Sequence, residues 1–177
     1  MLYNFYIYSK SRKCWITLIY SIIGLISVAL FEQYFLMLKP CVLCIYQRCA
    51  LIGIAISGII ALISPNRFLF RVIAIIIWTY SAYKGLYFSI KHITTILYSS
   101  PFFTCDLIVS FPEWLPLNKW LPIMFKANGE DCSIHTWNFF LLNIHHWMFL
   151  IFISYLFVVI CIIIAHFMRI YKHHYIL

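Results

Sequence analysis

Pro40-Cys41-Val42-Leu43-Cys44-Ile45-Tyr46-Gln47-Arg48-Cys49-Ala50-Leu51 runs without a break into Ile52-Gly53-Ile54-Ala55-Ile56-Ser57-Gly58-Ile59-Ile60-Ala61-Leu62-Ile63-Ser64, and Pro65-Asn66 ends the run. From Ile45 to Ser64 the only charge is Arg48. About 20 such residues are what an α-helix needs to cross a bilayer, and Pro-Asn is a turn signal. The stretch therefore reads as a membrane span that opens on two thiols three residues apart.

Three further runs of the same kind flank it. One covers residues 15–31 with no charge. One covers 68–90, with Arg71 near its start and Lys84 near its end, both able to snorkel to an interface. The last covers 147–165. In lipid each span must satisfy its own backbone polar groups, so all four are expected to be helices. The expected fold is an all-α membrane protein, a four-transmembrane-helix bundle that makes residues 1–177 a single integral-membrane domain. Composition agrees. The chain is 64% hydrophobic and 10% charged, with a mean hydropathy of +0.93, whereas soluble domains have about 25% charged residues. That excludes a soluble enzyme. The net charge of +8 is scattered between apolar runs rather than gathered in a patch, so no nucleic-acid partner is expected. Aromatics, 20% of the chain, are expected at the two membrane interfaces. No internal repeat or low-complexity segment is evident.

Charge orients the bundle. Lys10, Arg12, Lys13, Arg67, Arg71, Arg169 and Lys172 crowd one set of span ends with no acid among them. The other side holds Lys39, Arg48, Lys84, Lys91, Lys119 and Lys126 together with all five acids, Glu32, Asp106, Glu113, Glu130 and Asp131. The concentration of basic residues at the first set of ends places both termini in the cytoplasm. The basic N-terminus before an apolar run resembles a signal peptide, but no small-residue cleavage site follows, so a retained first span is expected. Loops at about 32–44 and 91–146 then face outward. The second is long enough to be functional. Within it, Phe111-Pro112-Glu113-Trp114-Leu115-Pro116-Leu117-Asn118-Lys119-Trp120-Leu121 is too broken by proline to span and reads as an amphipathic segment on the outer leaflet.

Topology sorts the seven cysteines. Cys41, Cys44, Cys105 and Cys132 fall on the outward side, which in a bacterium is oxidising. Cys49 and Cys161 read as span-packing residues, and Cys14 as an inert thiol facing a reducing compartment. The Cys41-x-x-Cys44 pair can close a small ring. The helix N-terminus favours the thiolate of whichever cysteine sits in its first turn, read here as Cys44, and Arg48, one turn beyond Cys44 on the same face, favours thiolate at the same residue. A structural disulfide with a snorkelling arginine is the plainer reading of the same residues. Cys105 and Cys132, 27 positions apart, either staple the long loop, worth roughly 3 kcal/mol in the chain-entropy model, or form an exposed, exchangeable disulfide. The acidic neighbours of Cys132 argue against its being a strong thiolate. No metal is expected: zinc sites usually pair two such hooks, and here there is one. His92, just past the third span, is either a solvated interface histidine or a contact to a polar head group held between helix ends. No phosphate-binding loop is present, and serine or carboxylate catalysis has no support.

The stretch from Lys39 to Leu51, with Thr104-Cys105-Asp106 and Phe111-Pro112-Glu113-Trp114-Leu115-Pro116, closely resembles the DsbB family of bacterial disulfide bond formation proteins. The likeness covers nearly the whole chain. It implies a quinone-dependent thiol oxidase (ubiquinone or menaquinone) of the bacterial inner membrane, drawing on the membrane quinone pool and reoxidising a periplasmic DsbA-type dithiol oxidase. By position, Cys105 and Cys132 match the pair that exchanges with DsbA, and Cys41 and Cys44 the pair that passes electrons to quinone. Arg48 matches the arginine beside the quinone, and His92 a histidine near its ring. Gln47 stands where a glutamate is common in the family, and the loop before Cys132 is one residue longer than the family pattern. Two rivals remain at this level: a membrane assembly protein whose disulfides only staple loops, and a related thiol enzyme that runs in the reducing direction or accepts a different partner.

Overall fold

The structure, a computed structural model of the chain, describes residues 9–35, 40–65, 67–97, 117–125, 138–139 and 142–174. Four long helices dominate it: α1 (Arg12–Phe35), α2 (Val42–Ile63), α3 (Phe68–Leu97) and α6 (Ile144–His174). Between α3 and α6, two single-turn helices lie among the described residues, α4 (Leu117–Trp120) and α5 (Pro122–Phe125). A minimal antiparallel pairing joins β1 (Asn138–Phe139) to β2 (Leu142–Asn143). All four long helices are long and apolar enough to cross a membrane, α6 over His145–Met168.

Each expected span is present, and the ends move for identifiable reasons. α2 starts at Val42, three residues before the expected 45, because Cys41 caps it. It stops at Ile63, and Ser64 leaves helical geometry before Pro65, which lacks the N–H a further turn would need. α1 begins behind Ser11, whose Oγ accepts the Lys13 N–H, and continues to Phe35, past the expected 31. α3 runs to Leu97 rather than 90, about 45 Å at 1.5 Å per residue, more than the ~30 Å hydrocarbon layer. Hydropathy marks only the part of a helix that matches lipid, whereas the backbone ladder continues through the polar turns beyond. The short loop expected at 32–44 is correspondingly shorter, since Glu32–Phe35 are still helical. The long loop expected from 91 begins after Leu97 and ends at α6. The amphipathic segment expected at 111–121 is described only from Leu117 onward and is helical over Leu117–Trp120.

The helices pack in chain order, α1 on α2, α2 on α3 and α3 on α6. Ser21 Oγ to Tyr155 Oη at 2.9 Å joins α1 to α6 and closes the ring, and Ser9 Oγ, just before α1, meets His166 Nε2 of α6 at 3.1 Å. The core is made of Trp15, Leu18, Ile22, Leu51, Ile54, Trp78, Phe152, Val159 and Ile162. Two tryptophans are therefore interior, not interfacial: Trp15 meets Trp78 edge-on with centroids 5.9 Å apart, and Trp15 Nε1 donates to Ser9 O. α3 approaches α6 so closely at Gly85 that a Cβ there would overlap the Phe152 ring. Outward, the bundle presents Ile23, Val28, Ile56, Ile59, Tyr83, Phe157 and Ile164, the arrangement expected where lipid replaces water. Arg71 is buried and donates to Pro65 O at the α2–α3 turn. Lys84 lies between the Tyr80 and Tyr87 rings, 5.8 and 6.0 Å from their centroids.

Candidate functional site

The start of α2 builds the site. Cys41 is its N-cap, with extended backbone (φ −76°, ψ 168°), and its Sγ accepts the Cys44 N–H at 3.4 Å. A cap of this kind needs an acceptor at the first helix turn, and here sulfur supplies it. One turn on, Cys44 brings its Sγ to 3.1 Å from that of Cys41. Both are free thiols, and the contact is a hydrogen bond, not a disulfide. From the far end of α3, His92 Nε2 reaches Cys41 Sγ at 3.6 Å. His92 is fully buried, and its Nδ1 has no hydrogen-bond partner among the described residues. The His145 ring, at the start of α6, lies against it with centroids 3.9 Å apart.

The electrostatics single out one sulfur. Hydrogen bonding from the Cys44 thiol, and then from His92 and the Cys44 N–H, outweighs burial and holds the Cys41 thiol, just outside the α2 span, well below its ordinary value. The sequence assigned the helix-start advantage to Cys44. The geometry gives it to Cys41, because the residue that caps a helix, not one inside its first turn, faces the unpaired N–H groups.

Arg48 lies one turn beyond Cys44, as expected, but it is neither snorkelling nor idle. It is buried, and its Nη1 donates to Gln33 Oε1 at 2.6 Å and Met124 O at 3.2 Å, its Nη2 to Ala29 O at 3.1 Å. One guanidinium thus ties α1, α2 and α5 together. Gln47 is also buried and donates to Ser89 Oγ on α3. Phe125 of α5 packs on Val42 and Ile45, so this end of the long loop is seated on the bundle.

Beside these residues a cavity of about 580 Å³ opens between α1, α2 and α6. Leu25, Val28, Phe31, Leu51, Met148 and Ile151 make its walls apolar, and Cys44, Gln47, Arg48, Glu32 and His145 supply the polar groups. Cys44 and Arg48, both expected at such a site, share this wall. His92 does not line it; it stands behind Cys41, where it is neither a solvated interface histidine nor a wall residue. His145 and Gln33 escaped sequence reasoning. His145 is one of two histidines opening a lipid-facing run, and Gln33 ends a span, positions where polar residues are ordinary. Cys105 and Cys132 lie outside the described residues. Cys14 is buried, and Cys49 and Cys161 are half-buried within helices.

A dithiol at a helix start, with Cys41 buried as the cap and Cys44 half-buried on the wall of an apolar cavity, all inside a four-helix membrane bundle, defines a membrane redox protein. Comparison with known proteins sharpens this. The family profile described as "Disulfide bond formation protein DsbB" matches residues 11–162. Proteins named "Disulfide bond formation protein B" are similar throughout. That of Blochmanniella floridana is 56% identical over 165 residues, 93% of this chain and 95% of the relative. That of Sodalis glossinidius is 47% identical, covering 90% and 89%. That of Escherichia coli K12 is 44% identical, covering 89% and 88%. The chain belongs to the DsbB family, and is accordingly a multi-pass membrane redox enzyme that acts in disulfide bond formation.

Proposed function

We propose that this protein is a thiol:quinone oxidoreductase of the bacterial inner membrane, with both termini cytoplasmic and both cysteine pairs on the periplasmic side. It reoxidises a DsbA-type dithiol protein, and electrons pass from Cys105/Cys132 to Cys41/Cys44 and on to a quinone. The observation that carries the reading is the free Cys41–Cys44 pair, with Cys44 forming part of an apolar cavity wall beside Arg48.

The cavity chemistry fits a quinone. Aliphatic walls suit a ring and an isoprenoid tail, and a cation with a few polar groups suits ring oxygens. Bound there, a quinone supplies a two-electron, two-proton acceptor. Arg48, Gln47 and His145 are the groups placed to bind and orient it, while His92 acts on Cys41 from behind.

The exchange steps follow from thiolate attack on disulfide sulfur. The partner's thiolate attacks Cys105, a mixed disulfide forms, and Cys132 leaves as thiolate. Cys132 attacks Cys41 in the Cys41–Cys44 disulfide, and Cys44 leaves. The partner's second thiol then displaces Cys105 and departs oxidised. Cys105 attacks Cys132 and releases Cys41, which restores the loop disulfide and leaves the inner pair as a dithiol. His92 and the α2 cap stabilise Cys41 as the leaving anion. Reoxidation joins Cys41 to Cys44 again, with two electrons and the thiol protons passing toward the cavity.

Purified protein, reduced DsbA and a quinone assayed for turnover test this directly. Wild type is expected to turn over. Cys44→Ser is expected to accept a partner at the loop pair once and then stall, while Cys105→Ser loses exchange although quinone still oxidises its inner pair. Quinone turnover by Cys44→Ser at the wild-type rate would refute the electron path. An impermeant thiol reagent applied to intact cells should label single cysteines engineered at 106–130 and spare those at 1–10; the reverse pattern would overturn the orientation.

A further inference from the structure

We propose that the reduced Cys41–Cys44–His92 cluster is a binding site for a thiophilic divalent cation of the zinc and cadmium class, held by two thiolates and one imidazole. Cys41 Sγ, Cys44 Sγ and a ring nitrogen of His92 all lie within 4.8 Å of one another. Zinc bonds of about 2.3 Å to sulfur and 2.0–2.1 Å to nitrogen imply tetrahedral edges of roughly 3.7 Å between sulfurs and 3.5 Å from sulfur to nitrogen. The observed Cys41–His92 separation of 3.6 Å already fits, and the 3.1 Å between sulfurs has to open by only about 0.6 Å.

Ligand chemistry and charge agree with geometry. Two thiolates and a neutral imidazole are a soft donor set that selects such metals over magnesium or calcium. Two thiolates also cancel a dication's charge, so the complex is neutral where burial would penalise a net charge. Each coordinating thiol gives its proton to solvent as the metal binds. Cys44 forms part of the cavity wall, which gives the ion a route in. The sequence concealed the site because it shows a single hook; the third ligand comes from residue 92, on another helix. The disulfide form offers no thiolates. Metal therefore traps the inner pair reduced and takes both sulfurs out of exchange.

The test needs neither quinone nor partner protein, so its outcome is separate from that of the proposed oxidase activity. The full chain carrying Cys105→Ser and Cys132→Ser is purified in detergent, reduced, freed of reductant and titrated with cadmium, and the thiolate-to-cadmium charge-transfer absorbance is followed. One cadmium ion per chain is expected for the reduced protein and none after oxidation of the same sample, a comparison that involves no further mutation. Cys41→Ser should abolish the band, and His92→Phe should weaken binding at least tenfold with circular dichroism unchanged. A band that persists in the oxidised sample or in Cys41→Ser, no band in reduced protein with titratable thiols, or unchanged affinity in His92→Phe would each overturn the site.

Discussion

Replacing Arg48 by methionine tests whether one side chain holds the cavity wall together. Methionine keeps comparable reach and leaves no buried charge behind, so the change reports mainly on the lost donors. Those donors reach Gln33 Oε1 at 2.6 Å, Ala29 O at 3.1 Å and Met124 O at 3.2 Å. Hydrogen bonds to charged groups contribute about 1.5–3 kcal/mol each. The two carbonyl contacts are longer, and the Ala29 carbonyl lies inside α1. The short Arg48–Gln33 bond should therefore dominate. In a cycle of Arg48→Met, Gln33→Leu and the double variant, the coupling energy is expected at about 1.5–3 kcal/mol, roughly 10- to 150-fold in the unfolding constant. SDS titration in mixed micelles, followed by circular dichroism, measures it. A coupling below about 0.5 kcal/mol would mean that the two residues act independently and that the Arg48–Gln33 bond does not hold α1 on α2.

The Gly85–Phe152 approach makes Gly85→Ala an overpacking change, expected to destabilise by about 1–3 kcal/mol in the same titration; combining it with Phe152→Leu should cost less than the sum of the two singles. His92→Phe removes a donor that stabilises the Cys41 anion. With one hydrogen bond of about 1–1.5 kcal/mol lost, about one pH unit, the pH profile of Cys41 alkylation by iodoacetamide should shift upward from its start at about 4, so that the rate at pH 4 falls about fivefold and the rate at pH 6 barely changes, read peptide by peptide by mass spectrometry. An unchanged profile would show that the Cys44 contacts alone hold the thiolate.

The four spans were legible because lipid imposes a simple rule, a run of apolar residues long enough to cross, and 15–31, 45–64, 68–90 and 147–165 all obey it. Their true ends were not, because hydropathy is silent about polar turns that remain helical, as at Glu32–Phe35 and beyond Ile90. The Cys41–Cys44 pair and Arg48 could be placed together because they share one helix and its periodicity. His92, His145 and Gln33 come from three other positions in the bundle, and periodicity along one helix carries no information about what another helix brings alongside. For the same reason the helix-end advantage was assigned to the wrong sulfur: local order shows that a cap is near, whereas the backbone angles of Cys41 decide which residue occupies it.

The dithiol, the guanidinium and the cavity all sit at one end of the bundle: the last turns of α1 and α3 and the first turns of α2 and α6. Moving one elementary charge across the whole membrane involves about 2.3 kcal/mol per 100 mV. On the proposed function, an acceptor held in this cavity would draw its electrons and protons from the same edge of the bilayer, so almost none of the transmembrane field would lie along their path. Such an arrangement would neither generate a membrane voltage nor be held back by one, and the proposed activity is expected to run at the same rate in energised and de-energised vesicles.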